Sequence, residues 1–184
     1  MKKTNYLFLI VLCLIILSFI GCSKNEEKNA QQIANNFISD LYTVSNEEIE
    51  NYNSLLDVAP SEAMEMDVYN AVQINDDVLK ALMTEDGYEI LLKNRDNLKF
   101  TVICYRANCT MQVTEIQLSE NNSDINNNEA DYTFEVKLKL ISDDGTETEG
   151  TAKGKVSLSK IDDDWKITSY RMGTFPNILT ELPD

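Results

Sequence analysis

The fold is decided by residues 132–156, which read YTFEVKLKLISDDGTETEGTAKGKV. Apolar and polar side chains alternate along the first nine of these residues, which predicts a half-buried β-strand. The Asp-Asp-Gly sequence at 143–145 suits a hairpin turn with glycine in the left-handed position. With Ser142 opposite Thr146, large residues of the first strand face small residues of the second: Tyr132 with Val156, Phe134 with Gly154, Val136 with Ala152, and Leu138 with Gly150. We therefore predict an antiparallel hairpin that can curl over another layer.

The other face of this hairpin carries its charged residues. The same register opposes Lys139 to Glu149 and Glu135 to Lys153. Because opposite charges face one another across the strands, the pattern predicts a solvated outer face and not a basic binding patch.

Further strands extend the predicted sheet to about five. Residues 98–105 and 109–113 alternate in the same way, and pairing Cys104 with Cys109 places their apolar residues on one face. The apolar parity shifts after Val113, which predicts a β-bulge. A final strand follows an acidic turn near the C-terminal end. The sequence thus predicts a curved antiparallel meander.

The first half of the domain has a helical pattern. From Ala30 to Tyr42 the apolar residues recur at the spacings of one helix face. Ser45 and Glu48 form a capping-box signature for a second helix, and Thr84, followed by two acidic residues, caps a later one. We expect three or four helices and no strand up to Asn97. The predicted fold class is α+β, with N-terminal helices packed on the sheet.

Residues 1–21 are typical of a lipoprotein signal peptide. Two lysines precede fifteen uncharged residues, a run shorter than the about 20 that a spanning helix needs. Gly21 before Cys22 resembles the lipobox, whose cysteine receives a diacylglyceryl group and palmitate, although Phe19 stands where leucine is usual. The alternative is an uncleaved membrane helix. We expect cleavage between Gly21 and Cys22, lipidation of Cys22, and anchoring on the extracytoplasmic face of the cell membrane.

These features divide the chain into four segments. Residues 1–21 are the signal peptide, 22–29 the lipidated cysteine and a short linker, 30–175 the α+β domain, and 176–184 an irregular tail. A domain of this length can bury a proper core.

The chain is strongly acidic and contains no histidine. Its 31 acidic and 16 basic residues give a net charge of −15, and loss of Lys2 and Lys3 with the signal peptide would make it −17. Such a surface repels phosphate backbones, so we expect no nucleic-acid partner. It is typical of soluble secreted proteins, and it also suits a cationic partner such as a basic protein face or a metal ion. Without histidine, the commonest general base is missing.

The order of elements resembles the nuclear-transport-factor-2-like (cystatin-like) superfamily. The resemblance rests on the helix at 30–42, the strand at 132–140 with its Asp-Gly turn, and Asp-Asp-Asp-Trp-Lys-Ile at 162–167. The segment from Leu82 to Arg95 is similar to one in bacterial surface lipoproteins of this group. The resemblance implies a cone-shaped sheet wrapped around a helix. Because the superfamily includes isomerases, dehydratases, transport adaptors and non-catalytic secreted domains, the fold alone assigns no function.

Catalytic groups are scarce on the predicted concave face. Isomerases of this superfamily use a carboxylate base with tyrosine or protonated aspartate donors. Here the inward strand positions are apolar except for Tyr132, and no acidic residue shares their face. We expect no catalytic residue and no cofactor, and we take Tyr132, Phe134 and Trp165 as candidate pocket residues. The alternative is an isomerase or dehydratase that uses Tyr132 with a carboxylate from a helix.

Two of the four cysteines remain available to the mature domain. Cys13 leaves with the signal peptide and Cys22 is lipidated, which leaves Cys104 and Cys109. Directly opposed strand positions allow a disulfide, while two free thiols or a metal site at this pair stay open as alternatives. The two acidic turns lack the ligand spacing of a calcium loop, so we expect no metal there.

Together these observations favour a membrane-anchored, non-catalytic binding or accessory domain on the extracytoplasmic side. Its ligand would be a protein or a small molecule, bound in or beside the concave face of the sheet. A subunit of a surface complex, such as transfer or secretion machinery, is a further hypothesis beside the enzyme.

Overall fold

A computed structural model of the chain describes residues 26–58, 77–121 and 128–179. The predicted signal peptide, with Gly21 and Cys22, lies outside these residues. Within them the helices come first and one antiparallel sheet of four strands follows. The α+β fold class is therefore confirmed.

Nine elements and a short turn make up the described domain. The helices are α1 (residues 26–41), α2 (Asn46–Val58), α3 (Asp77–Leu82), α4 (Glu85–Lys93) and α5 (Asp96–Ala107). The strands are β1 (Cys109–Glu120), β2 (Glu129–Ser142), β3 (Glu147–Ile161) and β4 (Asp164–Thr174), followed by a 3₁₀ turn at Asn177–Leu179. The strands lie in the order β1-β2-β3-β4, so the sheet is a meander.

The predicted β2–β3 hairpin is confirmed in every pair. Each of the four large residues of β2 faces its predicted small or branched partner on β3. Gly145 in the connecting turn has a φ of 83°, which is the left-handed conformation that the turn requires. On the outer face, Lys153 pairs with Glu135 at 2.6 Å, and Lys139 contacts Glu147 at 2.8 Å. The outer face is thus a set of charge pairs on exposed strands.

The predicted irregularity in β1 is also confirmed. The register of β1 against β2 shifts between Val113 and Glu115, which is the position of the expected bulge. At the other end of the sheet, Asp162 and Asp163 have positive φ values of 50° and 71° and connect β3 to β4. The acidic sequence there is therefore a tight turn.

The predicted strand at 98–105 is wrong, because this segment forms most of helix α5. Its buried residues include Phe100, Thr101 and Cys104, which share one face at helical spacing. A run of alternating residues this short fits a helix face as well as a strand, and packing decides between them. The described sheet therefore has four strands and not about five, and its cone shape stays a prediction.

Helix α1 fills the inner face of the sheet. In its predicted stripe Ile33 is half-buried and the other six residues are buried: Ala30, Ala34, Phe37, Ile38, Leu41 and Tyr42. The Phe37 ring meets Tyr170 of β4 edge-on at 5.6 Å, and Tyr42 meets Phe134 of β2 at 5.9 Å. These aromatic contacts join the helical and strand halves into one core.

The two flanking segments contain more structure than the sequence predicts. Residues 26–29, expected to be linker, are already helical, and Glu26 accepts a hydrogen bond from Trp165 Nε1 at 3.1 Å. In the tail, Ile178 and Leu179 are buried against the core. Ile178 lies where a side chain at Gly150 would stand, so Gly150 makes room for this turn.

Candidate functional site

A polar cleft lies where α2, the end of α5 and the β2–β3 turn meet. Its volume is about 230 Å³. We call it the α2–α5 cleft, and eight residues line it: Asn46, Ile49, Glu50, Asn53, Tyr105, Asn108, Cys109 and Asp143. The volume is below the about 300–1,000 Å³ of sites for drug-sized ligands. The cleft therefore suits one side chain or one small ligand group.

One face of helix α2 forms the first wall. Asn46, Ile49, Glu50 and Asn53 follow one another at the i, i+3, i+4, i+7 spacing, which places them in a single row. The predicted capping box fixes the start of this row. The Glu48 carboxylate accepts hydrogen bonds from the Ser45 backbone N–H at 2.6 Å and its hydroxyl at 2.9 Å, and the Ser45 hydroxyl accepts from the Glu48 N–H at 3.2 Å.

The last turn of α5 forms the second wall. The Tyr105 hydroxyl donates a hydrogen bond to Asn53 Oδ1 at 2.9 Å, which ties α5 to α2. The Tyr105 and Tyr52 rings also meet edge-on, with centroids 5.3 Å apart. Asn108 ends the helix in the left-handed conformation, with a φ of 49°. The chain then turns at once into β1, whose first residue, Cys109, also lines the cleft.

The β2–β3 turn closes the third side. The Asp143 backbone N–H donates to the Asn108 carbonyl at 3.2 Å, which joins the turn to the α5–β1 connection. The next residue, Asp144, accepts a hydrogen bond from the Thr146 N–H at 2.8 Å, and this bond lowers the pKa of the Asp144 carboxyl. Because both bonds hold the backbone, the Asp143 side chain is presented at the cleft.

The electrostatic character of the cleft is acidic. Glu50 and Asp143 line it, and the eight lining residues include no lysine or arginine. Close by on α1, burial and the Glu48 carboxylate raise the pKa of Asp40. Burial raises the pKa of the Tyr52 phenol, and the positive charge of Arg106 opposes this effect without cancelling it. The arrangement therefore favours a positively charged group that can also donate hydrogen bonds to the asparagines.

The structure holds Cys104 and Cys109 as buried free thiols. A hydrogen bond links their side chains. This bond raises the pKa of Cys104, which burial raises further, and it lowers the pKa of Cys109. The predicted pairing of the two on opposed strands is wrong: Cys104 belongs to α5, and Cys109 faces Ser142 of β2. The predicted proximity is nevertheless present, because a helix end brings the two together.

The candidate pocket residues lie in the core. The exposed fractions of Tyr132, Phe134 and Trp165 are 1%, 2% and 5%. The inward parity predicted for Tyr132 and Phe134 is thus correct, and Phe134 also lines a second cleft, of about 260 Å³, on the sheet. Because helices α1 and α5 cover this face, the cleft lies beside the sheet.

A hydrogen-bonded pair of tyrosine hydroxyls, on buried Tyr42 and half-buried Tyr170, was not predicted from the sequence. The hydroxyls of Tyr42 and Tyr170 are 2.9 Å apart. Burial raises the pKa of Tyr42 to about 12 and raises that of Tyr170 strongly. Asp96, which is paired with Lys99 at 2.7 Å, adds to both shifts. The helical stripe predicts that Tyr42 is buried, but no local pattern identifies its partner 128 residues away.

Neither a metal cluster nor a membrane-spanning helix is found in the described part of the chain. No group of three or more potential ligands comes together there. No helix within the same residues is long and apolar enough to cross a bilayer.

Comparison with known proteins gives only distant structural likenesses. No family model and no curated protein matches the chain. A periplasmic fragment of TraM is 10% identical, with a TM-score of 0.44 over 81% of this chain and 98% of its own. The putative transfer protein TraH from the Gram-positive conjugative plasmid pIP501 is 15% identical, with a TM-score of 0.44 over 80% and 94%. A nuclear-transport-factor-2-like superfamily protein from Salmonella enterica is 12% identical, with a TM-score of 0.38 over 69% and 85%.

Proposed function

We propose that the chain is a lipid-anchored, non-catalytic binding domain on the extracytoplasmic side of the cell membrane. In this proposal the α2–α5 cleft receives a cationic group of a protein partner or small ligand. The observation that carries the proposal is a cleft of about 230 Å³ that two carboxylates line and no lysine or arginine lines.

The lipid anchor is supported by the N-terminal sequence. Two lysines, an uncharged run that ends at Ile20, and a small residue before Cys22 form the pattern that signal processing and lipidation require. Two acyl chains hold a protein on a bilayer stably, whereas a single chain gives marginal binding.

A cationic ligand group is supported by the charge and size of the cleft. Glu50 and Asp143 supply negative charge, while Asn46 and Asn53 supply amide oxygens. A guanidinium or ammonium group could satisfy both kinds of acceptor at once. The net charge, −15 for the full sequence and −17 without Lys2 and Lys3, would also accelerate the approach of a basic partner.

A non-catalytic role is supported by the filled core. Apart from tyrosines and cysteines, Thr101 is the buried polar residue among the described residues. None of the described aspartates and glutamates is buried. An isomerase of the alternative type needs a carboxylate base next to its hydroxyl donors inside the sheet. No described acidic side chain occupies that position.

The anchor is tested by replacing the acceptor cysteine in the full chain. With Cys22→Ser, we expect the protein to lose labelling by palmitate and to leave the membrane fraction. The matched control, Cys13→Ser, changes a cysteine within the predicted signal peptide and should keep both properties. Labelling that persists in the Cys22 variant would overturn the lipoprotein assignment.

Binding to the cleft is tested with the full chain in detergent and arginine amide as the probe. We expect nuclear magnetic resonance shifts at Tyr105 and Asn53, weakened about threefold to tenfold by Asp143→Asn. The control Asp163→Asn removes the same charge from the turn at the other end of β3, where the side chain is fully exposed. Equal weakening by both variants would reduce the effect to net charge and contradict a specific site.

A further inference from the structure

The two thiols lie in series behind the α2–α5 cleft. Cys109 lines the cleft with 3% of its surface exposed, whereas Cys104 is 0% exposed and belongs to α5. A molecule in the cleft therefore meets Cys109 first. Cys104 is within hydrogen-bonding reach of Cys109, so it is placed to react with whatever forms there.

The connection between the two cysteines keeps them close. The Asn108 N–H bonds to the carbonyls of Cys104 and Tyr105, which closes the end of α5 and reverses the chain within one residue. The Asn108 carbonyl is held in turn by the Asp143 N–H. Backbone bonds therefore fix both sides of the connection that joins the two cysteines.

We propose that Cys109 and Cys104 form a thiol–disulfide exchange site that accepts small cationic disulfides through the α2–α5 cleft. The cation preference rests on the proposed function of the cleft, because the same carboxylates would attract a cationic binding partner and a cationic disulfide. The exchange itself depends on the serial placement of the two thiols.

The reaction proceeds in two balanced steps. The Cys109 thiolate attacks one sulfur of the disulfide RSSR, the S–S bond breaks, and RS⁻ leaves with the electron pair and takes up the proton that Cys109 released. The Cys104 thiol then loses its proton and attacks the Cys109 sulfur, which expels the second RS⁻ to be protonated. The protein loses two electrons and two protons, and the small disulfide gains them as two thiols.

The local chemistry divides the roles of the two sulfurs. The hydrogen bond with Cys104 lowers the pKa of Cys109, although burial and Asp143 oppose this effect. The hydrogen bond with Cys109, burial and the neighbouring Glu48 all raise the pKa of Cys104, so Cys104 is the poorer nucleophile of the two. Cys109 is therefore the attacking thiol, and Cys104 resolves the intermediate.

The charges around the cleft select the disulfide. Glu50 and Asp143 at the lining and Glu48 nearby would repel an anionic disulfide and attract a cationic one. Because these charges are close to the exposed surface, salt should weaken the preference.

The test uses the full chain in detergent with Cys13→Ser and Cys22→Ser, so that its thiols are Cys104 and Cys109. The probes are cystamine, which is cationic, and glutathione disulfide, which is anionic. For each state of the protein we take the ratio of the rate with cystamine to the rate with glutathione disulfide. At low salt, we expect this ratio to be at least about tenfold higher for the folded protein than for the urea-unfolded chain. The product should be an intramolecular disulfide, two hydrogens lighter than the starting protein.

Single replacements separate the two roles. Cys104→Ser should stop at a mixed disulfide on Cys109, and Cys109→Ser should react at least about tenfold more slowly than Cys104→Ser. Equal rates for the two variants, or rates and preference equal to those of the unfolded chain, would overturn the exchange site.

The failure of this proposal can be distinguished from failure of the cleft. Arginine amide binding is measured on the variant with both Cys104→Ser and Cys109→Ser. If this variant binds arginine amide but the protein with both thiols shows no exchange, the exchange site alone would be overturned. Exchange without a cation preference, together with lost arginine binding, would overturn the cationic cleft.

Discussion

The β2–β3 hairpin and helix α5 have similar sequence patterns and different structures. Both alternate apolar and polar residues, yet 132–156 forms two paired strands and 98–105 lies in a helix. The hairpin register is supported on both faces, by size complementarity inside and opposite charges outside. The false register through Cys104 and Cys109 relied on three apolar pairs on one face. Alternation therefore predicts strands well only where a partner strand supports the register over many pairs.

The largest loss of stability is expected from a substitution in the hairpin. Phe134→Ala should lower the free energy of unfolding by about 3–5 kcal/mol, because the ring is buried against Tyr42 and Tyr170. Urea unfolding gives the loss directly. The control Thr133→Ala, at the neighbouring outward position, should cost under about 1 kcal/mol. If Phe134→Ala also cost under about 1 kcal/mol, the inward face of the hairpin would not be the core.

The next effect tests whether residues 98–105 are helical. Val102 lies in the middle of α5, so Val102→Pro should remove a helical hydrogen bond and cost about 3 kcal/mol more than Val102→Ala. Thermal unfolding and the helical circular dichroism signal measure the difference. If the two variants are equally stable and equally helical, the segment is not a helix.

A smaller loss is expected from crowding the hairpin. A Cβ atom at Gly154 would lie 2.5 Å from the Arg171 carbonyl oxygen and 2.6 Å from the Phe134 ring, so Gly154→Ala should cost about 1–3 kcal/mol. At Gly173 the nearest atom would be 3.4 Å away, and Gly173→Ala is the matched control. Urea midpoints should fall for the first variant and stay unchanged or rise for the second. Equal effects would contradict the large-to-small packing.

The smallest loss of stability is expected in the helical half, at the capping box of helix α2. Ser45→Ala removes both bonds of the Ser45 hydroxyl, the one to the Glu48 carboxylate and the one from the Glu48 N–H, and should cost about 1 kcal/mol. Ser54→Ala, inside the same helix, should stay within about 0.5 kcal/mol. Thermal melts compare the two. A loss at Ser54 as large as that at Ser45 would show that the capping box does not stabilise α2.

Local patterns predicted much of the fold and little of the candidate site. The α1 stripe, the Ser45–Glu48 box and the β2–β3 register each depend on residues close in sequence or on a countable pairing. The α2–α5 cleft instead combines a row on α2, the end of α5 and a turn near residue 143. Its assembly depends on α5 being a helix, so the wrong secondary structure at 98–105 also hid the cleft. The proximity of Cys104 and Cys109 was predicted with the wrong geometry for the same reason.

The contact between Glu26 and the β3–β4 turn has a consequence for orientation. Glu26 binds both Trp165 and Lys160, so the start of α1 is held at one end of the hairpin. An anchor at Cys22 could lie at most about 14 Å from residue 26. The cleft lies at the opposite end of β3, a strand contour of about 45 Å away. A lipid anchor would thus hold the β3–β4 turn against the bilayer and turn the cleft outward, where partners approach from the medium.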